Sequence, residues 1–548
     1  MAVLSLASLS FSQDFGFGDD FGGSDYSSDF GSDSFDSAEP TVSISGEVGA
    51  KARAWGGTKN EDDEFDTRNY DSAYDFSKSK TEPSAHANLD FAYSGDFTDA
   101  VIKLKFNQNT IKDYPEDIID EAYASGSFKD GRFQLKAGKI KEVWGKGDKV
   151  HVLDNFNAND YSDFIFPDYI DRRIGEIMFK TTANLSWDYN IKLEGIYAPM
   201  MTADRFASEK SMLYPYAQSK LTEMVKGILK AQGSALANNA VDFDGKTIDG
   251  DSLIGAIMDL SEFSTDKLYE DDIRTIKYSQ AGARLTGTLG GIDWGASYYY
   301  GHYKQPSAKI ENLIKMQYYS NVATKVPALA TTASPLAAEI LKKDIGEIVS
   351  LNYDQLQVFG LEAAFVLWKF NTRWEGAYNL TEDIAGDNPW IKNNSVSWLA
   401  GFDIDLPIHN LNLNVQETGT YILNNDKIED NTVTVGYLAG KPIEVPIGTA
   451  DVDYNSDGKY TKNKLIVLLS DKWLNEKLTT EVQGIYCFED KGYMVAPKVE
   501  YNVSEGLTFG LRGVYLYCDN ENGEFYNFTQ NAKNHDKALV ELTAKYQF

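Results

Sequence analysis

From Thr41 to the C-terminus, apolar and polar residues alternate with a period of two, in segments of about 10 to 14 residues, the length a tilted strand needs to cross a bilayer. In the first, Val42, Ile44, Val48, Ala50, Ala52 and Ala54 alternate with Ser43, Ser45, Glu47, Lys51 and Arg53. Ile102, Leu104 and Phe106 alternate with Lys103, Lys105 and Asn107, and Leu411, Leu413 and Val415 with Asn412, Asn414 and Gln416. One face suits lipid and the other water. Such segments fall at 41–55, 84–95, 99–108, 118–128, 132–143, 174–183, 188–198, 275–288, 291–304, 355–368, 369–380, 395–405, 409–421, 462–472, 476–488, 492–503, 506–518 and 536–548.

The connections between these segments alternate in length. After even-numbered segments they are short, as at Asp96 to Thr98, Lys129-Asp130-Gly131, Gly290-Gly291, Pro407-Ile408-His409 and Ser504-Glu505-Gly506. After odd-numbered segments they are mostly long, notably 56–83, 144–173, 199–274, 305–354 and 422–461. A soluble sandwich has no reason to sort its loops this way. Outer-membrane barrels do, with the short turns facing the periplasm. The pattern therefore predicts an all-β fold, a transmembrane antiparallel up-and-down barrel of about 18 strands with long, partly helical extracellular loops. Helical spacing recurs inside two of the loops. It links Leu221, Met224, Val225, Ile228 and Leu229, and again Leu336, Ile340, Leu341, Ile345 and Ile348 after a Ser334-Pro335 start. These stretches are too short and too charged to span a membrane and are expected to cap or enter the mouth.

Composition narrows the picture. A chain of 548 residues would ordinarily divide into several soluble domains, a limit that a closed barrel escapes. Hydrophobic residues make up 42%, yet the mean hydropathy is −0.39 and no apolar run is long enough for a membrane helix. Tyr (33) and Phe (29) are abundant, as aromatic girdles require. A formal net charge of −30 argues against nucleic acid as a partner, because phosphate binding needs clustered Lys and Arg. The histidines, His86, His151, His302, His409 and His535, show no metal-ligand spacing. No nucleophile elbow, Walker loop or zinc-protease motif is present either. The expectation is a protein that is not an enzyme and uses no cofactor.

Two segments precede the barrel. Ala2 to Phe11 is short and apolar and runs into Ser10-Phe11-Ser12, so residues 1–13 read as the remainder of a secretory signal peptide. Residues 14–40 hold Asp, Gly, Ser and Phe without Lys or Arg, a composition that cannot bury enough apolar area to offset ordering and is expected to form a disordered acidic leader. Residues 41–548 are assigned to the barrel.

The last segment, Ala538 to Phe548, alternates and ends on Tyr546-Gln547-Phe548. It resembles the C-terminal strand of Gram-negative-type outer-membrane porin-like barrels. That resemblance implies that Tyr546 and Phe548 form a signal for the barrel-assembly machinery. A looser resemblance lies in Gly138-Lys139, Trp144-Gly145, the run Asp154 to Asn159, Asp168 and the pair Arg172-Arg173, which together look like the strand-to-loop region of alginate-export-like porin families. It implies that 144–173 enters or lines a pore, with Arg172 and Arg173 as solute contacts. The competing reading pairs these arginines with Asp163, Asp168 and Asp171. Face sorting gives Lys51, Arg53, Lys103, Lys105, Arg132, Lys136, Arg284, Lys369, Arg373 and Arg512 as pore-lining candidates. Fewer acids share that face: Glu47, Asp90, Glu362, Glu375, Asp403, Glu481 and Glu500. Near-neutrality or a weak anion preference is therefore expected in spite of the net charge.

The function these readings favour is a porin-like channel of the bacterial outer membrane for passive diffusion of small hydrophilic solutes, with membrane lipid around it; a homo-oligomer is compatible with the pattern. The alternatives are a FadL-like transporter of hydrophobic solutes and a surface adhesin using its acidic loops. One consequence concerns the two cysteines. Cys487 and Cys518 fall on the fifteenth and seventeenth strands. Two ladder steps of about 4.8 Å exceed the roughly 7 Å limit on Cα separation for a disulfide. Mass spectrometry of the non-reduced protein is expected to find both as free thiols; a linked peptide pair would contradict the register.

Overall fold

The computed structural model describes residues 40–56, 58–59, 65–66, 80–208, 211–237, 268–438, 440–447, 460–520, 523–529 and 536–548. The signal-peptide reading of 1–13 and all of the leader at 14–40 except its last residue lie outside them. Eighteen long strands form one antiparallel sheet: β1 (Thr41–Trp55), β2 (Lys80–Ser94), β3 (Thr98–Phe106), β4 (Ile119–Phe128), β5 (Phe133–Ile140), β6 (Glu176–Ser186), β7 (Ile191–Ala198), β8 (Gln280–Leu289), β9 (Ile292–His302), β10 (Gln355–Leu367), β11 (Phe370–Thr381), β12 (Ser395–Asp405), β13 (Asn412–Ile422), β14 (Thr461–Trp473), β15 (Leu478–Cys487), β16 (Tyr493–Ser504), β17 (Leu507–Tyr517) and β18 (Asp536–Gln547). Each pairs with its neighbours in sequence, and β1 pairs with both β2 and β18, so the sheet closes on itself. All eighteen expected segments are strands. The largest difference in a start is at β8, expected from 275, where Ile276–Tyr278 instead makes a single 3-10 turn.

The pleat separates the two faces as the alternation requires. Val42, Ile44, Ile102, Leu135, Phe179, Leu361, Leu511 and Leu542 are exposed on the outside, whereas Lys51, Arg53, Glu121, Glu362, Glu375 and Glu541 point inward into contacts with other polar groups. Large apolar side chains left in contact with solvent over a whole barrel wall are explained by lipid. Exposed aromatics gather towards both edges of this band. Phe97, Phe128, Trp187, Tyr189 and Trp368 stand by the short turns, and Tyr378, Tyr421, Tyr486 and Phe488 by the long loops. The short turns are tight. Gly290 and Gly291 both have positive φ (62° and 81°), which a two-residue hairpin of the right twist demands. Arg132 and Lys369 belong to this rim. They sit in the turns after β4 and β10 and not along the inner wall, because β5 and β11 each begin one residue later than the segments 132–143 and 369–380 expected.

At the other rim the loops build a second apolar core of their own. Helix α1 (Tyr216–Ala237), helix α2 (Glu311–Lys325), helix α3 (Ala330–Ile340) and a hairpin of Thr432–Leu438 with Lys441–Pro446 bring together Leu221, Val225, Ile228, Leu313, Ile314, Ile340, Val433 and Val435. The first expected helix is present. The second begins at Ala330, ahead of Ser334-Pro335, and stops at Ile340; Ile345–Ile348 is a separate turn. The loop after β7 crosses the mouth, since the Ala217 amide donates to Asn527 Oδ1 (3.0 Å) and Lys537 Nζ to the Met212 carbonyl (2.8 Å), both in the β17–β18 region.

Phe548 extends the closing seam of the ring. The Phe548 amide donates to the Gly46 carbonyl (3.0 Å) and the Gly46 amide to the Phe548 carbonyl (2.9 Å), and the Phe548 ring fills the space a side chain at Gly46 would take. A Cβ at residue 46 would lie 2.7 Å from the Asn88 carbonyl oxygen and 2.8 Å from Phe548 Cζ. Gly46→Val is therefore expected to destabilise the seam by about 1–3 kcal/mol through overpacking. The check is a lower temperature at which the compact gel band of the unheated barrel is lost. An unchanged temperature would remove Phe548 from the closure.

Candidate pore constriction

Residues 141–175, between β5 and β6, turn into the barrel and stay there. The base of this loop is tied by Asn157, which is fully buried. Its amide donates to the Ile140 carbonyl (2.9 Å) and the Ile174 carbonyl (2.8 Å), and its Oδ1 accepts from the Glu142 amide (2.8 Å). This is the physical content of the Asp154-to-Asn159 run. A polar side chain placed between two chain ends saturates the backbone groups that the broken ladder leaves open. Above it, Trp144 packs edge-on against Phe156 (5.0 Å), and Phe156 against Tyr299 of β9 (5.1 Å). On the far side Phe164 meets Phe166 (5.4 Å) and Phe528 (4.2 Å).

The loop reaches nearly opposite walls. One end of its path wraps Glu375 of β11, and Asp148 pairs with Arg373 Nε of β11 (2.8 Å) and accepts from Asn414 Nδ2 of β13 (2.7 Å). Asp163 pairs with Arg53 Nη1 of β1 (2.7 Å) and with Lys51, while Arg53 Nη2 also pairs with Glu541 of β18 (2.5 Å). In a closed ring of eighteen strands β1 and β11 lie almost across from each other, so the segment between Asp148 and Asp163 spans the lumen.

Most of the expected cations are accounted for by partners. Lys103 pairs with Glu121 (2.7 Å), and Arg284 with Glu362 (2.5 Å) and more distantly with Glu194 (3.7 Å). Lys105 Nζ donates to the Asp171 carbonyl (2.8 Å), and Arg512 Nη1 to the Phe166 carbonyl (3.1 Å). Arg373 holds Asp403 (2.5 Å) as well as Asp148, and Lys136 Nζ sits 3.8 Å over the Tyr123 ring. Arg172 and Arg173 are withdrawn from solvent altogether. Arg173 pairs with Asp154 and donates to the Asn157 carbonyl (2.9 Å), holding the loop's own path. Arg172 lies near the Tyr161 and Tyr169 rings (5.9 and 5.7 Å), and among the described residues none of its side-chain nitrogens has an acceptor. Arg132, in its turn, takes no part in the loop's anchoring contacts described above. Tyr546 and Phe548 stack at the seam (6.3 Å).

The charge count on the wall changes accordingly. Face sorting omitted Glu121, Glu194 and Glu541, and no period-two argument could show that the loop adds Glu142, Asp148 and Asp163 to the same space. Lys180 shows the effect, with Glu142 at 2.6 Å and Glu194 at 2.7 Å. The wall cations are thus largely neutralised, partly by acids of neighbouring strands and partly by the loop that lies against them. Burial would raise the Asp163 carboxyl, but Arg53 and Lys51 outweigh it and hold it well below the usual range. Asp168 has the reverse balance: burial, with Asp171 adding repulsion, pushes its carboxyl up to about 7.

No protein-family model matches the chain, and no curated protein does. Among solved structures it is similar to Pseudomonas aeruginosa OccK3 (10% identity, 92% of this chain and 95% of that one, TM-score 0.39). It is also similar to P. aeruginosa OpdQ (9%, 93% and 97%, 0.41) and to the outer membrane channel DcaP of Acinetobacter baumannii (10%, 93% and 97%, 0.36).

The raised Asp168 fixes the sign of a pH effect. A carboxyl near 3.9 when unfolded and about 7 when folded binds its proton more tightly in the barrel, so its contribution weakens as pH rises between those values. Asp168→Asn is expected to gain thermal stability on the wild type progressively from pH 4 to pH 7 and to keep a constant lead above that. Thermal unfolding of the reconstituted barrel across this range is the check, and a lead independent of pH would contradict the burial of Asp168.

Proposed function

We propose that the protein is a porin-like channel of the bacterial outer membrane that passes small hydrophilic solutes by passive diffusion. The observation that carries this reading is the loop 141–175 strung across the lumen and ion-paired to both walls, because it narrows the passage while partly exposed wall cations such as Lys51 and Arg373 remain beside it. The lipid-facing band and the closed ladder support the membrane assignment, and the sorting of short turns and long loops to opposite rims supports the outer membrane, with the helical cap outside the cell. Tyr546 and Phe548 in the closing strand support recognition by the assembly machinery. The alginate-export-like resemblance supports the placing of 144–173 in the pore. Lys51, Lys103 and Arg373, whose side chains are partly exposed, are the proposed solute contacts. A carrier of hydrophobic solutes would need an apolar pocket with a lateral opening, and the pairing of every strand with both its neighbours around the ring speaks against such an opening.

Planar-bilayer recording tests the proposal. Purified protein is expected to give discrete ohmic steps, and under a KCl gradient a reversal potential close to zero, since the wall cations are balanced by Glu121, Glu194, Glu541 and the loop acids. Replacing Lys51, Lys103 and Arg373 with Gln is expected to move the reversal potential towards cation preference. A silent protein would defeat the channel reading.

A further inference from the structure

Among the inward acids, Glu375 stands apart in how it is satisfied. It is buried, and its ladder neighbour across to β10 is another acid, Glu362. Arg284 takes Glu362 (2.5 Å), which leaves no wall cation on Glu375. Among the described residues every partner of Glu375 comes from the loop. Oε1 accepts from the Lys146 amide (2.7 Å), the Gly147 amide (2.7 Å) and His151 Nδ1 (3.0 Å), and Oε2 accepts from the Val152 amide (2.8 Å). Burial works against a charge on His151, yet the carboxylate facing it prevails and raises the imidazole above its usual value.

The Trp-Gly-Lys-Gly stretch at 144–147 is shaped to this carboxylate. Gly145 has φ 119°, and a Cβ there would stand 2.3 Å from Glu375 Oε1 and 2.7 Å from His151 Nδ1. At Gly147 a Cβ would fall 2.0 Å from the Val150 carbonyl oxygen. Successive amides turned onto one anion in this way form a concave donor cluster whose geometry depends on the anion being there. The dependence runs both ways, because a carboxylate buried beside Glu362 with no donors would carry an unpaid desolvation cost.

Building on the channel reading, we infer that Glu375 is the positioning residue of the constriction: a wall carboxylate around which segment 144–153 winds, so that the width of the passage is set by this contact and not by the loop's own fold. The trait that a plain structural role would not produce is a selective release of 144–153 with the barrel intact. Glu375→Ala removes the anion. Gly145→Val leaves the wall untouched and drives a side chain into the carboxylate. Glu375→Gln keeps an acceptor for Lys146 and Gly147 and loses the one for Val152.

The test combines hydrogen exchange of peptides covering 144–153 with single-channel conductance, on protein that retains the compact unheated gel band. Both Glu375→Ala and Gly145→Val are expected to exchange this segment at least about tenfold faster than the wild type while the strands stay protected. Conductance is expected to rise about twofold or more, with Glu375→Gln in between. Wild-type protection at 144–153 and unchanged conductance in both variants would overturn the inference. If the wild type itself does not conduct, the channel reading fails separately, and the exchange measurement still decides whether Glu375 seats the loop.

Discussion

A lipid environment offers no partner for a free backbone N–H or C=O, and the rest of this architecture depends on that constraint. A sheet in such a medium must have no edge, so β1 and β18 have to meet, and they do so in a register that runs from Glu47 opposite Gln547 to Trp55 opposite Leu539. The same requirement is met by Phe548, which extends the ladder to Gly46 and covers the gap left by the missing side chain. Closing the ring also turns half of all strand residues towards an enclosed space. Many of those positions are polar here and have to be hydrated or internally paired, while others, such as Ile466, Ile485 and Leu516, pack in apolar clusters with the loop.

The loop 141–175 answers the second half of that demand. It brings carboxylates to wall cations and amides to a wall carboxylate, so Glu375 on the wall and Asp163 on the loop find their partners only when the loop is inside. Buried ion pairs contribute little net stability, because desolvation offsets most of the attraction, but breaking one side leaves an uncompensated charge that costs about 3–5 kcal/mol. What such contacts supply is a definite location. Asp163 against Arg53 and Lys51 at one wall, and Glu375 within the 145–152 turn at the other, fix both ends of a segment that has almost no regular structure between them. Above it the cap has an ordinary apolar core, and its helices are held by packing of Leu221, Val225, Leu313 and Ile340 without help from the wall.

The barrel was legible in the sequence because a strand with lipid on one side and a polar lumen on the other repeats the same physical contrast every second residue. Eighteen segments, the alternation of loop lengths, and the outward direction of Val42, Ile44 and Leu542 all follow from that contrast, which acts locally. Loop helices were partly legible for the same reason: Leu221, Val225 and Ile228 share a face, whereas α2 has a weaker apolar stripe and was not anticipated, and Pro335 sits inside α3, where its ring was read as a start signal.

Which charge meets which was beyond the sequence. Arg172 and Arg173 have nearby acids in the chain, yet Arg173 takes Asp154, and Asp163 goes to Lys51 and Arg53 more than a hundred residues away. Face sorting identifies a cation as inward but carries no information about a loop folded in from another strand pair, so the wall looked more basic than it is. Alternation puts Glu375 on the inner face, and the resemblance that includes Trp144-Gly145 implies a segment that enters or lines the pore. Only the tertiary structure joined them, because the pairing is set by where closure of the ring places β11 relative to the end of β5, a relation that no local pattern encodes.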